Sequence, residues 1–189
     1  YAQQTGLDEK PVSLQNQNTL ASVLRSKGYR TLMVGKHHGT DNPVDLGFDR
    51  YAGLRDGAAN HFNPGLQRKG EVVPAQKRPG KRTFCFDEKC VQPYTPPEKD
   101  YYSTDYYTKW ALELLRTYEK EDKPYFLYLS YQAPHDPLQA WPEDIAKYRG
   151  KYADGYDAVT KARYERQRAL GLIDKSYPLP EASHQDWNS

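Results

Sequence analysis

The segment Val34-Gly35-Lys36-His37-His38-Gly39 places a lysine and two histidines where an apolar run ends. Lysine carries a fixed positive charge, and histidine carries one that switches near neutral pH. A further histidine, His135, stands between two prolines in Ala133-Pro134-His135-Asp136-Pro137, again just after an apolar run. In open α/β sheets, ligands bind beyond the carboxyl ends of the strands. If both runs are strands of one parallel sheet, Lys36, His38 and His135 converge at one edge. They would bring up to three positive charges and several hydrogen-bond donors. That combination suits a sulfate or phosphate ester, whose transition state spreads charge over equatorial oxygens. A histidine can also protonate a leaving alcohol. The plainer alternative is a solvated strand-end lysine with packed or surface histidines.

The elements that must position these groups alternate between helix and strand, an α/β pattern. Asn18 is a candidate N-cap for a helix in which Leu20, Val23 and Leu24 share a face, and Gly28 sits where a C′ glycine belongs. Residues 29–34 read as a strand. Residues 39–64 read as a loop region rich in Gly, Asp, Asn and Pro. From 65 to about 100 the chain makes an irregular excursion, with a short hairpin around Val72-Val73 and 83–86. Ser103, Thr104 and Asp105 are candidate N-caps of the next helix. Tyr107, Ala111, Leu114, Leu115 and Tyr118 lie on one face of it; Lys109, Glu113, Arg116 and Lys120 lie on the other. The run 125–131 is apolar and aromatic without alternation, as in a strand covered on both faces. Pro142 opens a short helix, and a second runs from about 154 to 170 and closes at Gly171. Two strands do not make a viable sheet. Further strands must come from the excursion or from outside this chain.

The 189 residues are long enough for a core, yet only 37 % are apolar and 28 % are charged. The mean hydropathy is −0.99. Ordinary globular chains are ~45–50 % apolar, so the composition reads as a piece of a larger domain. The 17 tyrosines offset part of the deficit, because their rings pack like hydrophobes. A net charge of +2 predicts no strong electrostatic partner. The basic run 77–82 is broken by Pro and Gly and has no interleaved aromatics, so it reads as a solvated loop, not a nucleic-acid surface. No apolar stretch is long enough for a membrane span. Cys85 and Cys90 can form a local disulfide in an oxidising compartment or remain free thiols.

The segment 34–39, followed by Gly47-Phe48-Asp49-Arg50-Tyr51, resembles the Gly-Lys-Trp-His segment and downstream Gly-Phe-Asp of the formylglycine-dependent sulfatases. The helix at 105–121, the strand after it and Ala133-Pro134-His135 resemble the second half of that pattern, and 142–173 resembles arylsulfatase-like members. The resemblance implies part of an alkaline-phosphatase-like fold, with a mostly parallel sheet flanked by helices and incomplete at both ends. It implies hydrolysis of aryl or carbohydrate sulfate monoesters. In the family's mechanism a hydrated formylglycine attacks sulfur, the ester oxygen leaves, and the aldehyde reforms as sulfate is expelled. Carried over, Lys36 would bind a sulfate oxygen and stabilise transition-state charge. His38 would contact the nucleophile, and His135 would bind sulfate near the leaving oxygen.

His37 stands where the family has Trp and is expected to point away from the site. His61, in Asn60-His61-Phe62-Asn63-Pro64, is a candidate for the substrate pocket, with loop packing as the alternative. Trp141 could stack on a sugar or aryl ring or cap the helix after it. The family's Cys-x-Pro-x-Arg segment has no counterpart at Cys85 or Cys90. The acidic residues that hold Ca2+ and a second lysine are also unmatched. By this reading residues 1–189 are the central portion of a sulfatase catalytic domain, inactive alone, with the metal ligands and the formylglycine outside this chain. The partners implied are a sulfate-ester small molecule or sulfated glycan and the remainder of the catalytic domain. The compartment implied is secreted, periplasmic or lysosome-like. Two other readings stand: a phosphoesterase or phosphonate hydrolase of the same superfamily, and a non-catalytic anion-binding relative.

Overall fold

Strand β1 (Arg30–Gly35) is buried from Thr31 onward, and the sheet extends to both sides of it. The computed structural model describes residues 13–65, 82–174 and 176–179. These fall into two units, Tyr1–Gln139 and Ala140–Ser189. In the first unit, β2 (Arg50–Leu54) and β5 (Tyr125–Ser130) lie on either side of β1, both parallel to it. A hairpin of β3 (Phe84–Phe86) and β4 (Lys89–Val91) then pairs antiparallel onto β2. The order is β4-β3-β2-β1-β5, a mixed sheet with a parallel centre.

Alternation along β1 serves two cores, because successive strand side chains face opposite ways. Val34 joins Leu54, Phe84, Tyr107 and Ala111 on one face. Helix α2 (Ser103–Tyr118) packs there with Tyr107 and Ala111, while Lys109, Glu113 and Arg116 face outward. Met33 joins Tyr51 and Cys85 on the other face, with Val44 and Phe48 packed against them. The tyrosine-rich composition has its explanation here. Tyr51, Tyr101, Tyr102, Tyr106 and Tyr107 are all buried. The Phe84 and Tyr94 rings stack at 4.6 Å, and Tyr101 packs tilted against Tyr106 at 4.8 Å.

Several local expectations change. Helix α1 (Leu20–Ser26) is capped by Thr19, whose Oγ1 accepts from Ser22 N, and not by Asn18. Its buried residue is Ala21, while Leu20 and Val23 are exposed. Gly28 follows the C-cap with φ +88°, as its placement implied. Tyr102, not Ser103, Thr104 or Asp105, is the N-cap of α2 and makes no side-chain capping bond; its hydroxyl donates to Gln139 O, and Ser103 lies inside the helix with its hydroxyl beside His61 Nδ1. The region 39–64 is not all loop. It contains β2 and a 3-10 turn at Pro43–Leu46. Strand β2 escapes a pattern reading because it is short and carries Arg50 and Gly53 among its apolar residues. The hairpin forms from 84–91; Val72 and Val73 lie outside the described residues. Strand β5 is covered less than expected. Tyr125 and Tyr128 are half exposed, because β1 is its only partner strand among the described residues.

The Gly47-Phe48-Asp49 segment braces the sheet. Asp49 Oδ2 accepts from Thr31 N at 2.9 Å, and the carboxylate pairs with Arg25 at 3.0 Å and Arg30 at 3.4 Å. Cys85 and Cys90 are register partners in the hairpin and are joined by a disulfide.

In the second unit, α3 (Pro142–Ala146) starts with Pro at N1 and carries Glu143 and Asp144 in its first turn. Trp141 occupies its N-cap position. Helix α4 (Gly155–Ala169) leaves Tyr156 and Val159 exposed. Gly171 follows it with φ +69°.

Candidate anion site at the carboxyl edge of the sheet

Three parallel strands end together. Gly35 stands in register with Ser130, and beyond it the chain keeps bonding to both neighbours. Lys36 N donates to Ser130 O at 2.7 Å, His37 N to Leu54 O at 2.9 Å, and Gly39 N to Arg55 O at 3.2 Å. The lysine–histidine segment is thus laced to the ends of β5 and β2. Two glycines permit the close approach. A Cβ on Gly35, whose φ is +112°, would lie 1.9 Å from the Ser130 carbonyl oxygen. One on Gly53 would lie 2.1 Å from Gly35 O. The buried Tyr51 hydroxyl donates to that same Gly35 carbonyl at 3.1 Å. Burial pushes this phenol well above its ordinary pKa, so it stays a donor.

Lys36 is half-buried at this edge, and desolvation lowers its pKa from the usual lysine value. The cost of taking an ammonium partly out of water would be relieved by an anion. His38 is exposed and adopts φ +62°, a left-handed conformation that costs a residue with a Cβ about 1–2 kcal/mol. Such strain persists where surrounding structure enforces it, often at ligand sites. The ring of His38 lies against Gly57, whose Cβ would meet Nε2 at 3.4 Å. His37 is half-buried with its ring folded onto Gly39, at a point where a Cβ would lie 2.4 Å from Nε2. Desolvation lowers its pKa, opposed by Asp41 and assisted by Arg55 and His38.

His135 follows β5 in a turn closed by its own N–H donating to Gln132 O at 3.0 Å. Its side chain is exposed, and Nδ1 lies 2.7 Å from Asp136 O. If Nδ1–H donates there, Nε2 is the nitrogen presented to a ligand. Lys36, His38 and His135 therefore share one sheet edge, on adjoining strand ends.

His61 is not a pocket-lining residue in this structure. It is 1 % exposed and lies beneath the His135 turn. Its Nδ1 is 3.1 Å from Ser103 Oγ, and Nε2 is 3.3 Å from His135 O. Desolvation is the largest influence on its pKa and lowers it.

Arg55 is a residue that sequence reasoning missed. It follows β2 as Lys36 follows β1, is half-buried, and its Nε is buried without a hydrogen-bond partner. Recognising β2 as a strand was the missing step. The cofactors that the resemblance implies do not fit the described residues. No cluster of three or more His, Cys, Asp or Glu able to hold a metal occurs among them. Both cysteines are bonded to each other, so neither thiol is available for conversion to an aldehyde.

The family model described as Sulfatase matches residues 1–176. An arylsulfatase of Klebsiella aerogenes is 32 % identical over 179 residues, covering 90 % of this chain and 36 % of that enzyme. An uncharacterized sulfatase of Schizosaccharomyces pombe is 33 % identical, covering 85 % of this chain and 29 % of its own length. Among solved structures, Ps i-CgsB in complex with k-i-k-neocarrahexaose matches with a TM-score of 0.54 and 28 % identity, over 75 % of this chain and 32 % of that one. The chain spans about a third of the length of the two curated relatives. Its α/β architecture is part of the alkaline-phosphatase-like fold, and the chain belongs to the sulfatase family.

Proposed function

We propose that this chain supplies the anion-gripping edge of an enzyme that hydrolyses sulfate monoesters. The single observation that carries the reading is the splice of β1 to β5. The Lys36 N–H bonds to Ser130 O, and the strand end bearing Lys36 and His38 is held beside the one leading to His135. Family membership supports sulfate over other tetrahedral anions. In this reading, the Lys36 ammonium pairs with a sulfate oxygen and stabilises charge that grows in the transition state. His135 Nε2 binds the sulfate near the leaving ester oxygen and in its protonated form gives that leaving oxygen a proton as its bond to sulfur breaks. His38, fixed in its left-handed turn, faces the attacking group. Calcium and a formylglycine, which the family uses, would be held by residues other than those described. Carbohydrate and aryl sulfates both remain within this class, since the relatives include an arylsulfatase and a structure with a bound neocarrahexaose. A disulfide of this kind suits an oxidising compartment such as the periplasm, the cell exterior or a lysosome-like organelle.

The test is the ratio of kcat/KM for matched 4-nitrophenyl sulfate and 4-nitrophenyl phosphate in the full-length protein, with Lys36→Ala beside the native enzyme. We expect the sulfate to be preferred, and Lys36→Ala to lower its kcat/KM by ~10²-fold or more, the scale for one transition-state charge stabiliser. A preference for phosphate would identify a phosphoesterase. Sulfate binding without turnover would identify a non-catalytic anion binder. A loss below threefold would place Lys36 outside the site.

A further inference from the structure

We propose that His61 is a positioning residue for His135, acting through a hydrogen bond from its imidazole Nε2–H to the His135 carbonyl. The role rests on the reading above only in that His135 is taken to touch the ester. The brace itself stands on geometry. His61 is buried, so it contacts solvent and substrate through other residues. Its two ring nitrogens reach separate elements: Nδ1 meets Ser103 Oγ at the start of α2, and Nε2 meets His135 O past the end of β5. Its main chain is tied to the same elements, because His61 N donates to Gln139 Oε1 at 2.8 Å and His61 O accepts from Ser103 N at 2.9 Å. One residue thus spans the segment after β2, the helix start and the turn that carries His135.

The two tautomers engage different partners. Gln132 Nε2 donates one N–H to Ala59 O at 2.6 Å and lies 3.3 Å from His61 Nε2, so its second N–H meets Nε2 only in the tautomer protonated at Nδ1; the brace to His135 forms in the other tautomer. His135 O can only accept, so Nε2 grips the turn when it carries the proton. Nδ1 then accepts from the Ser103 hydroxyl, and the ring is neutral. The burial that lowers the His61 pKa favours this neutral form. A phenyl ring would fill the same space without either bond. A glutamine amide nitrogen can reach roughly where Nε2 sits, whereas an asparagine amide reaches only the place of Nδ1.

The experiment uses the full-length protein with His61→Phe, His61→Gln and His61→Asn. Two quantities are read: hydrogen exchange of peptides covering 132–139, and kcat and KM on an aryl sulfate. In His61→Phe, exchange in 132–139 should rise and kcat should fall, each by about tenfold, the scale of one lost buried hydrogen bond. KM should change less than threefold. His61→Gln should recover kcat and exchange to within threefold of native, and His61→Asn should not. Should His61→Phe fail to fold, the Gln and Asn pair decides. Equal behaviour of Gln and Asn, or unchanged exchange and kcat in a folded His61→Phe, would overturn the proposal. If the native protein turns over no sulfate ester, the hydrolase reading fails, and the exchange measurement still tests the brace.

Discussion

Replacing Gly35 by alanine tests whether the seam between β1 and β5 is what holds Lys36 in place. The added methyl carbon would sit 1.9 Å from the Ser130 carbonyl oxygen and 2.7 Å from its carbon, both backbone atoms with no rotamer to yield. The φ of +112° adds the penalty of a left-handed conformation for an L side chain, about 1–2 kcal/mol. Forcing the strands apart adds about 1–3 kcal/mol of overpacking strain. The 2.7 Å bond from Lys36 N to Ser130 O would be lost, at about 1 kcal/mol. The expected destabilisation is therefore about 3–6 kcal/mol. Gly28 supplies the control. Its φ is +88°, but nothing lies within 4 Å of the place a methyl would take, so alanine there should cost only the conformational part, about 1–2 kcal/mol. Urea unfolding of the full-length protein measures both, and kcat/KM on an aryl sulfate follows the site. A displacement near 1 Å can cost ~10²-fold in rate, so folded Gly35→Ala should lose at least an order of magnitude, while Gly28→Ala stays near native. Equal destabilisation of the two variants, or native kcat/KM in Gly35→Ala, would refute the reasoning.

Lys36 should give the anion affinity an alkaline limit. Desolvation lowers its pKa, so its charge is lost as pH rises through a value below that of an ordinary lysine, and KM should climb there. In the ligand-free protein the unfolded chain binds the extra proton between the lowered and ordinary values, so stability should rise with pH across that window. Lys36→Arg, which stays charged, should move the alkaline limb of a KM–pH profile upward; an unmoved limb would assign the limit to another group. Asp49→Ala should destabilise by about 1–3 kcal/mol in thermal or urea unfolding, because it leaves the Thr31 amide without its acceptor and takes one partner from Arg25 and from Arg30, which keeps Glu121, while leaving the site untouched. A cost under about 0.5 kcal/mol, the scale of an ordinary surface change, would deny the brace. Replacing both Cys85 and Cys90 by alanine should cost about 2 kcal/mol, the loop-closure value for so short a loop, with kcat/KM changed little. Loss of activity without loss of stability would place the hairpin in the site.

The strand ends that bear Lys36 and His135 were legible because an apolar run and a cluster of charged or titratable residues adjoin there. The apolar runs before Lys36 and His135 are long enough to read, and the observed β1 and β5 match them closely. The α2 stripe was equally plain, with Tyr107 and Ala111 buried as the spacing requires. Strand β2 was not legible. Five residues with a charge at one end and a glycine inside give no usable period, and its place is set by pairing with β1, which is nonlocal. Missing β2 meant missing Arg55. His61 was visible as a residue but not as a brace, because Ser103 and His135 lie 42 and 74 residues away in sequence. Exposure misled in the other direction. The aromatic run of β5 and the apolar face of α1 predict burial, yet Tyr125, Tyr128, Leu20 and Val23 are open in the described structure.

The most direct test of the central claim is a crystal structure of the full-length protein with a slowly hydrolysed sulfate ester bound. Lys36 Nζ and His135 Nε2 should each lie within hydrogen-bond distance, about 2.7–3.2 Å, of oxygens on the same sulfate group. A sulfate group seated elsewhere, with Lys36 and His135 contacting only solvent, would contradict the claim.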